Sequence, residues 1–134
     1  MELNLPQGMP TGRGNCGVVG IAVFCGVAYQ PVEDFIRKHS RKPSNWKGST
    51  RKPERDAALR EFNKHRSVTF KSEGMTLATF VRKHAKPDHV YLVRTSGHIQ
   101  VVLNGTVIDQ GGPRPIAEFW GKGKRVSYAT VRKL

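Results

Sequence analysis

The hydrophobic positions of the chain fall into two dense blocks, residues 18–29 and 90–108, with a polar and basic stretch between them. The first block follows Cys16 and contains no charged residue, which predicts one buried helix over residues 16–29. Three glycines in this helix weaken it by roughly 1 kcal/mol each relative to alanine and let another part of the chain come close. They are Gly17, Gly20 and Gly26.

Shorter apolar patterns in the middle of the chain predict three more helices. Pro31 suits the first turn of the first of them, and Thr76 is a suitable N-cap for the last, which the Lys86-Pro87 pair would end. We predict these helices at residues 32–39, 54–64 and 77–84. The basic stretch at residues 37–55 indicates a long loop, and residues 66–74 have no clear pattern.

The last third of the chain is rich in β-branched residues and predicts strands. We expect them at residues 90–94, 98–103, 106–109 and 125–131. Asn104-Gly105 is a strong signal for a two-residue hairpin turn, because both residues tolerate positive φ. Helices therefore precede a sheet, which predicts an α+β fold with an antiparallel sheet, as one domain over residues 1–134.

The register of this hairpin places two polar residues side by side. With Asn104 and Gly105 as the turn, Leu103 pairs with Thr106, and counting back pairs Gln100 with Asp109. His98 lies two residues before Gln100 and so shares its face, diagonal to Asp109. Diagonal neighbours are about 7–8 Å apart at the backbone, which allows the Asp109 carboxylate to orient the His98 imidazole.

Cys16 stands at the predicted start of the first helix. The helix dipole and the free N–H groups there would lower the pKa of a thiol and stabilise a developing oxyanion. Asn15 is the candidate side-chain donor to that oxyanion, and Gln7 is a more remote one. Each residue also has an ordinary structural explanation, such as a core cysteine or a turn-capping aspartate. Their combination, in the order Cys, His, Asp, favours a Cys16–His98–Asp109 catalytic site.

Two segments, residues 12–16 and 91–109, resemble the papain-like cysteine peptidase superfamily, above all its small bacteriophage and bacterial forms. The first reads Gly-Arg-Gly-Asn-Cys before the apolar helix, and the second carries the Gly-His pair and the Asp after the hairpin. Trp46, Gly48 and Thr50 also resemble a loop of such proteins. Pro10 stands where those peptidases carry a Gln.

The resemblance implies a papain-like fold, with the nucleophile on a central helix packed against a C-terminal antiparallel sheet. It makes Cys16 the nucleophile, His98 the base and Asp109 the orienting residue. The implied activity is thiol hydrolysis of peptide or isopeptide bonds, by a cysteine peptidase or a related amidase. A phage-encoded protein would act in the host cytoplasm on a peptide or protein substrate.

The charge of the chain suggests a different function. Lys and Arg number 23 against 10 acidic residues, a net charge of +13, which attracts nucleic acid or an acidic host protein. The alternative is a catalytically weak papain-like scaffold used as a binding module, with Trp46 stacking on a base. A merely solvated surface is equally compatible with the charge. The candidate contacts are Arg37, Lys38, Arg41, Lys42, Trp46, Lys47, Arg51, Lys52, Arg55, Lys122, Lys124 and Arg125.

The remaining sequence features exclude some classes of protein. Cys16 and Cys25 are nine residues apart, on opposite sides of a helix, so we expect free thiols and a cytoplasmic location. The chain has neither an HExxH nor a CxxC motif, so we expect no metal and no cofactor. Its longest apolar run is too short to span a membrane, and we expect no membrane partner.

Overall fold

In a computed structural model, residues 5–6, 14–40, 43–72 and 74–134 of the chain are described. Helices occupy most of its N-terminal half, and two short 3-10 turns lie at Pro43–Asn45 and Ile116–Glu118. The α-helices are α1 (Cys16–Cys25), α2 (Tyr29–His39), α3 (Lys52–Phe62) and α4 (Leu77–Lys83).

In the described part of the chain, the strands form one antiparallel sheet, and their order across the sheet differs from their order in the sequence. They are β1 (Ser67–Lys71), β2 (His89–Thr95), β3 (His98–Leu103), β4 (Thr106–Asp109), β5 (Gly112–Pro115) and β6 (Val126–Lys133). Their order across the sheet is β1-β6-β2-β3-β4-β5, and each neighbouring pair is antiparallel. The α+β class with an antiparallel sheet is therefore confirmed.

Helix α1 is apolar all round, and every residue after Cys16 is buried. It ends at Cys25 because Gly26 adopts the left-handed conformation (φ 70°) and its N–H turns back to the carbonyls of Ala22 and Val23. The prediction of one helix over residues 16–29 was therefore wrong at its end, since Tyr29 already begins α2. This break lets α2 fold back against α1.

The sheet separates two hydrophobic cores, because successive strand side chains point to opposite faces. Val90 and Leu92 of β2 lie in the core with α1 and α2, whereas Tyr91 and Val93 lie in the core with α4. Helix α1 lies very close to the sheet at Gly20, where an added Cβ would come within 2.7 Å of Ile99. A small residue here lets α1 approach strands β2 and β3, as the sequence predicted.

Most predicted elements are present with shifted ends. Strands β3 and β4 match the prediction, β2 is one residue longer at each end, and β6 begins one residue later and ends two residues later. The N-cap at Thr76 is confirmed, since its hydroxyl accepts from the Thr79 N–H at 3.2 Å. Helix α3 begins two residues earlier than predicted, because the Arg51 N–H is capped by the Glu54 carboxylate at 2.8 Å. The predicted loop is correspondingly shorter.

The two outermost strands, β1 and β5, are the elements that sequence reasoning missed. Strand β1 is an edge strand with Val68 63% and Phe70 36% exposed, so it lacks the inward periodicity that marks a buried strand. Strand β5 contains Pro113 and Pro115, which remove ladder donors and are tolerated at a sheet edge. Among the described residues, no helix is long and apolar enough to cross a membrane.

Candidate active site

Cys16 is the first residue of α1, and its sulfur lies at the positive end of that helix. The first helical hydrogen bond runs from the Val19 N–H to the Asn15 carbonyl at 3.1 Å, so the amides before Val19 are not used within the helix. The Cys16 side chain is half-buried and lines the same cleft as the His98 imidazole, whose charge and polar contact act on the thiol. The backbone amides of Ile99 and Gly17 also favour the ionised form of this thiol.

His98 is the first residue of β3 and follows a tight turn from β2. Gly97 takes positive φ (70°) in this turn, which allows His98 to pair directly with Thr95 across the hairpin. The imidazole is buried, with only 5% of the side chain exposed. A neighbouring aromatic side chain, Trp120, packs edge-on against it with ring centroids 4.9 Å apart.

Asp109 ends β4 and contacts the far side of the same imidazole. Its Oδ2 lies 3.0 Å from His98 Nε2, which leaves Nδ1 as the ring nitrogen available to Cys16. Its Oδ1 accepts from the Gly111 N–H at 2.8 Å and from Arg114 at 3.4 Å. Donors thus hold both carboxylate oxygens, which sets the orientation of the carboxylate and of the imidazole.

The predicted hairpin register is confirmed over three residue pairs, from Leu103–Thr106 to Val101–Ile108. The further pair, Gln100 with Asp109, is not part of the ladder. Gln100 instead turns its side-chain amide to the Val93 carbonyl on β2, at 2.6 Å. The diagonal contact between His98 and Asp109 forms nonetheless, as the alternation of side chains predicted.

These contacts shift the proton affinities of the thiol and the imidazole in opposite directions. Burial alone would raise the pKa of Cys16, but the hydrogen bond and the charge of His98, with two backbone amides, outweigh it and lower that pKa. Burial alone would lower the pKa of His98, but its bonds to Asp109 and Cys16 raise it to about 9. Both shifts favour a thiolate paired with an imidazolium.

Burial acts in the same direction on Asp109 and on Cys25, but their neighbours differ. Burial opposes ionisation of Asp109, yet hydrogen bonds from His98 and Gly111 keep the pKa of its carboxyl below the usual value. Cys25 at the far end of α1 has no such partners, and burial raises the pKa of its thiol to about 12 despite the nearby Arg132. The pKa values of the two cysteines are thus shifted in opposite directions by their positions on one helix.

Cys16 and His98 open onto a cleft of about 330 Å³. Its wall opposite the hairpin comes from the segment before α3, where the Thr50 hydroxyl packs so tightly on Gly17 that any Cβ there would collide with it. The lining residues are Gly14, Cys16, Gly17, Ser49, Thr50, Arg55, Arg94, Gly97, His98, Ile99 and Gln110. Thr50, one of the residues of the resemblance, therefore forms part of the cleft wall.

Asn15, the predicted side-chain donor to an oxyanion, is directed elsewhere. Its Nδ2 donates to the Tyr29 hydroxyl at 3.1 Å, and that hydroxyl donates to Glu33 Oε1 at 2.8 Å. The side chain is 1% exposed and is not among the residues lining the cleft. This contradicts the prediction for Asn15, because the amide ties the start of α1 to α2. The predicted remote donor, Gln7, lies outside the described residues.

Several of the predicted polyanion contacts are already used within the protein. Arg55 is only 5% exposed and lines the cleft, so its prediction as a surface phosphate contact was wrong. Arg51 is paired with Glu54 at 3.0 Å, and Lys52 with Asp56 at 2.7 Å. Each pair cancels one positive charge that this end of α3 would otherwise present to a partner.

The rest of that set is divided between partly engaged and exposed side chains. Arg37 reaches Glu33 at 3.3 Å and lies over the ring of the half-buried Trp46, 5.0 Å from its centroid. The three basic residues at positions 122–125 donate to backbone carbonyls: Lys122 to Ala117, Lys124 to Ser96 and Arg125 to Gly74. Lys38 and Lys47 are exposed, and Arg41 and Lys42 lie outside the described residues.

Sequence reasoning missed Arg94, Gln110 and Trp120 as residues of this site. Arg94 lies on β2 beside Ile99, and Gln110 follows Asp109, so both reach the cleft by their register with β3 and β4. Trp120 is 57% exposed and covers one edge of His98. The sequence shows only that Trp120 follows Phe119, which does not indicate which residue the Trp120 ring covers.

Within the described residues, no group of three or more His, Cys, Asp or Glu side chains is placed to hold a metal ion. Comparison with models of known protein families, with curated proteins and with solved structures found no match to this chain. The resemblance to papain-like peptidases therefore stays a prediction from the sequence.

Proposed function

We propose that this protein is a thiol hydrolase that cleaves a peptide, isopeptide or related amide bond through a Cys16–His98–Asp109 triad on a papain-like fold. One observation carries the proposal: a thiol and a buried imidazole line the same cleft, and a doubly anchored carboxylate holds the imidazole from its other side. A core cysteine needs no such arrangement, as Cys25 of the same helix illustrates.

In the acylation step, the Cys16 thiolate attacks the substrate carbonyl carbon, and the C–S bond forms as the carbonyl electron pair moves onto oxygen. The backbone amides that act on the sulfur, those of Ile99 and of Gly17 at the start of α1, are the candidate donors to this oxyanion. When the intermediate collapses, the C–N bond breaks and the His98 imidazolium gives its proton to the leaving amine. The products are a Cys16 thioester and a neutral imidazole.

In the deacylation step, the neutral His98 takes a proton from water as that water attacks the thioester carbonyl. The C–S bond then breaks, the acid product leaves, and the Cys16 thiolate and His98 imidazolium are regenerated. Asp109 supports both steps because it holds the ring orientation and stabilises the imidazolium by a charge-assisted hydrogen bond.

Acyl transfer from p-nitrophenyl acetate tests this function without knowledge of the natural substrate. We expect a burst of p-nitrophenolate, an acetyl group on Cys16 by mass spectrometry, and its slow hydrolysis afterwards. Cys16→Ser should abolish the burst, and the matched variant Cys25→Ser should keep it. Acetylation of Cys16 no faster than that of Cys25 would refute the proposal.

Polyanion binding is the second candidate function, and the net charge of +13 is the observation that favours it. The partner would be nucleic acid or an acidic host protein, and the resemblance to phage proteins would place it in the host cytoplasm. Four exposed cations of the predicted set have no ion pair among the described residues: Lys38, Lys47, Lys122 and Arg125. A DNA anisotropy titration at two salt concentrations tests it: affinity should fall steeply with salt. Absence of binding at low salt would exclude this function.

A further inference from the structure

The cleft beside Cys16 contains a buried cation that is not ion-paired with any acidic residue in the described part of the chain. Arg55 is 5% exposed, and its guanidinium donates only to neutral oxygens: the Thr50 carbonyl at 2.8 Å, the Thr50 hydroxyl at 3.1 Å and the Tyr128 hydroxyl at 3.0 Å. Its Nε has no hydrogen-bond partner among the described residues. Buried charges in proteins are normally paired, so this guanidinium lacks its usual counterion.

A second guanidinium lies at the same place. Arg94 also lines the cleft, and its register neighbour on β6 is Tyr128, the residue whose hydroxyl binds Arg55. Of the Arg94 nitrogens, Nε is bound to the Thr95 carbonyl at 2.8 Å, while the two terminal nitrogens have no partner among the described residues. Both guanidinium groups thus line one cleft, and the unused donors there are the terminal nitrogens of Arg94.

The cleft is also close to the thiol. The Thr50 hydroxyl that binds Arg55 packs directly on Gly17, the residue after Cys16. None of the described residues that line the cleft is acidic, and Asp109 lies behind His98 with both oxygens occupied. A substrate whose carbonyl reaches Cys16 thus places its neighbouring groups against the two arginines.

We propose that the cleft selects substrates that carry a carboxylate next to the acyl group attacked by Cys16, with Arg55 and Arg94 as the residues that bind it. This inference rests on the thiol hydrolase function proposed above and names its substrate class. A guanidinium presents a planar fork of N–H donors that matches the two oxygens of a carboxylate. The carboxylate is either an acidic side chain or a chain terminus, because both present the same two oxygens.

Charge-selective alkylation tests the inference at Cys16 itself. Iodoacetate carries a carboxylate beside its reactive carbon, and iodoacetamide is its neutral analogue of nearly equal size. We compare their rate ratio at Cys16, mapped by mass spectrometry, because a ratio cancels changes in the intrinsic reactivity of the thiol. Arg94→Gln should lower the iodoacetate-to-iodoacetamide ratio about tenfold, which is the usual loss for a hydrogen bond to a charged group.

Two controls separate a local site from the general positive field. Lys83→Gln removes the same charge from α4 on the other face of the sheet and should leave the ratio unchanged. Arg55→Gln should lower the ratio as Arg94→Gln does, provided that its melting temperature shows a folded protein. An unchanged ratio in Arg94→Gln overturns the inference. Slow reaction of Cys16 with both reagents would instead refute the hydrolase function.

Protection of Cys16 from iodoacetamide identifies the source of the carboxylate. N-acetylglutamate α-amide carries a side-chain carboxylate, N-acetylalanine a terminal one, and N-acetylalanine amide none. Protection by either carboxylate, and not by the amide, supports the inference and assigns the source. Equal protection by inorganic phosphate, or none by any carboxylate, overturns it in favour of a general anion site or of no anion site.

Discussion

Replacement of Asp109 by Asn tests the central contact of the site with an almost isosteric change. The Oδ1 position of Asp109 is held by two donors, the Gly111 N–H at 2.8 Å and Arg114 at 3.4 Å. In Asp109→Asn, the amide oxygen must take this position, because an NH₂ group there would face both donors. The NH₂ group therefore faces His98 Nε2, where the wild-type protein has an acceptor.

This substitution destabilises the imidazolium, whose Nε2–H then meets another donor. A hydrogen bond to a charged group contributes about 1.5–3 kcal/mol, so its loss corresponds to roughly a 10- to 100-fold smaller population of the ion pair. The pKa of His98 falls from about 9, because the Asp109 bond is the largest contribution that raises it. The thiolate loses its cationic partner, and the rate of Cys16 alkylation at neutral pH should fall by a similar factor.

The assay is iodoacetamide labelling of the native protein across pH, with the rate at Cys16 determined by mass spectrometry. Cys25 is the internal control, since burial raises its pKa to about 12 and it should stay slow in every variant. Asp88→Asn is the matched substitution: it makes the same change at an exposed residue with positive φ (61°), which Asn tolerates. A folded Asp109→Asn protein whose Cys16 rate and pH profile equal those of the wild type would refute the reasoning.

Three further results are expected. By NMR, the ring of His98 should titrate near pH 9, and Cys16→Ser should lower this value because it removes the thiolate; titration unchanged by Cys16→Ser would contradict the ion pair. Because folding raises the pKa of His98 from 6.5, its contribution to the free energy of unfolding is full below about pH 6.5 and is lost as pH rises through about 9. Urea denaturation at pH 6 and 9.5 should detect this loss, and His98→Gln should reduce it. Gly17→Ala should destabilise the fold by about 1–3 kcal/mol through its collision with Thr50, and the added change Thr50→Ala should restore part of that stability in thermal unfolding.

The local features of the site were predictable because short-range geometry determines them. Asn104 and Gly105 take positive φ (49° and 77°), as a two-residue hairpin turn requires, and the alternation of side chains then brings Asp109 beside His98. The cap at Thr76 was predictable for the same reason, since donor and acceptor are three residues apart. The prediction for Asn15 failed because Tyr29, whose hydroxyl accepts from the Asn15 amide, becomes its neighbour only when α2 folds back on α1.

The sequence by itself determined which residues bear the chemistry and how the hairpin aligns two of them, because turn type and strand period act over a few residues. Only the tertiary structure determined which side chains lie beside the Cys16 thiol. Packing of Gly20 on Ile99 brings α1 onto the sheet, and so brings Cys16 to an imidazole 82 positions later in the chain. The tertiary structure likewise buries Arg55, which the sequence predicted to be a surface cation, in the wall of the cleft. There it donates to the hydroxyl of Tyr128, 73 positions later in the chain. Such contacts depend on the summed burial of two cores, and no local pattern encodes them.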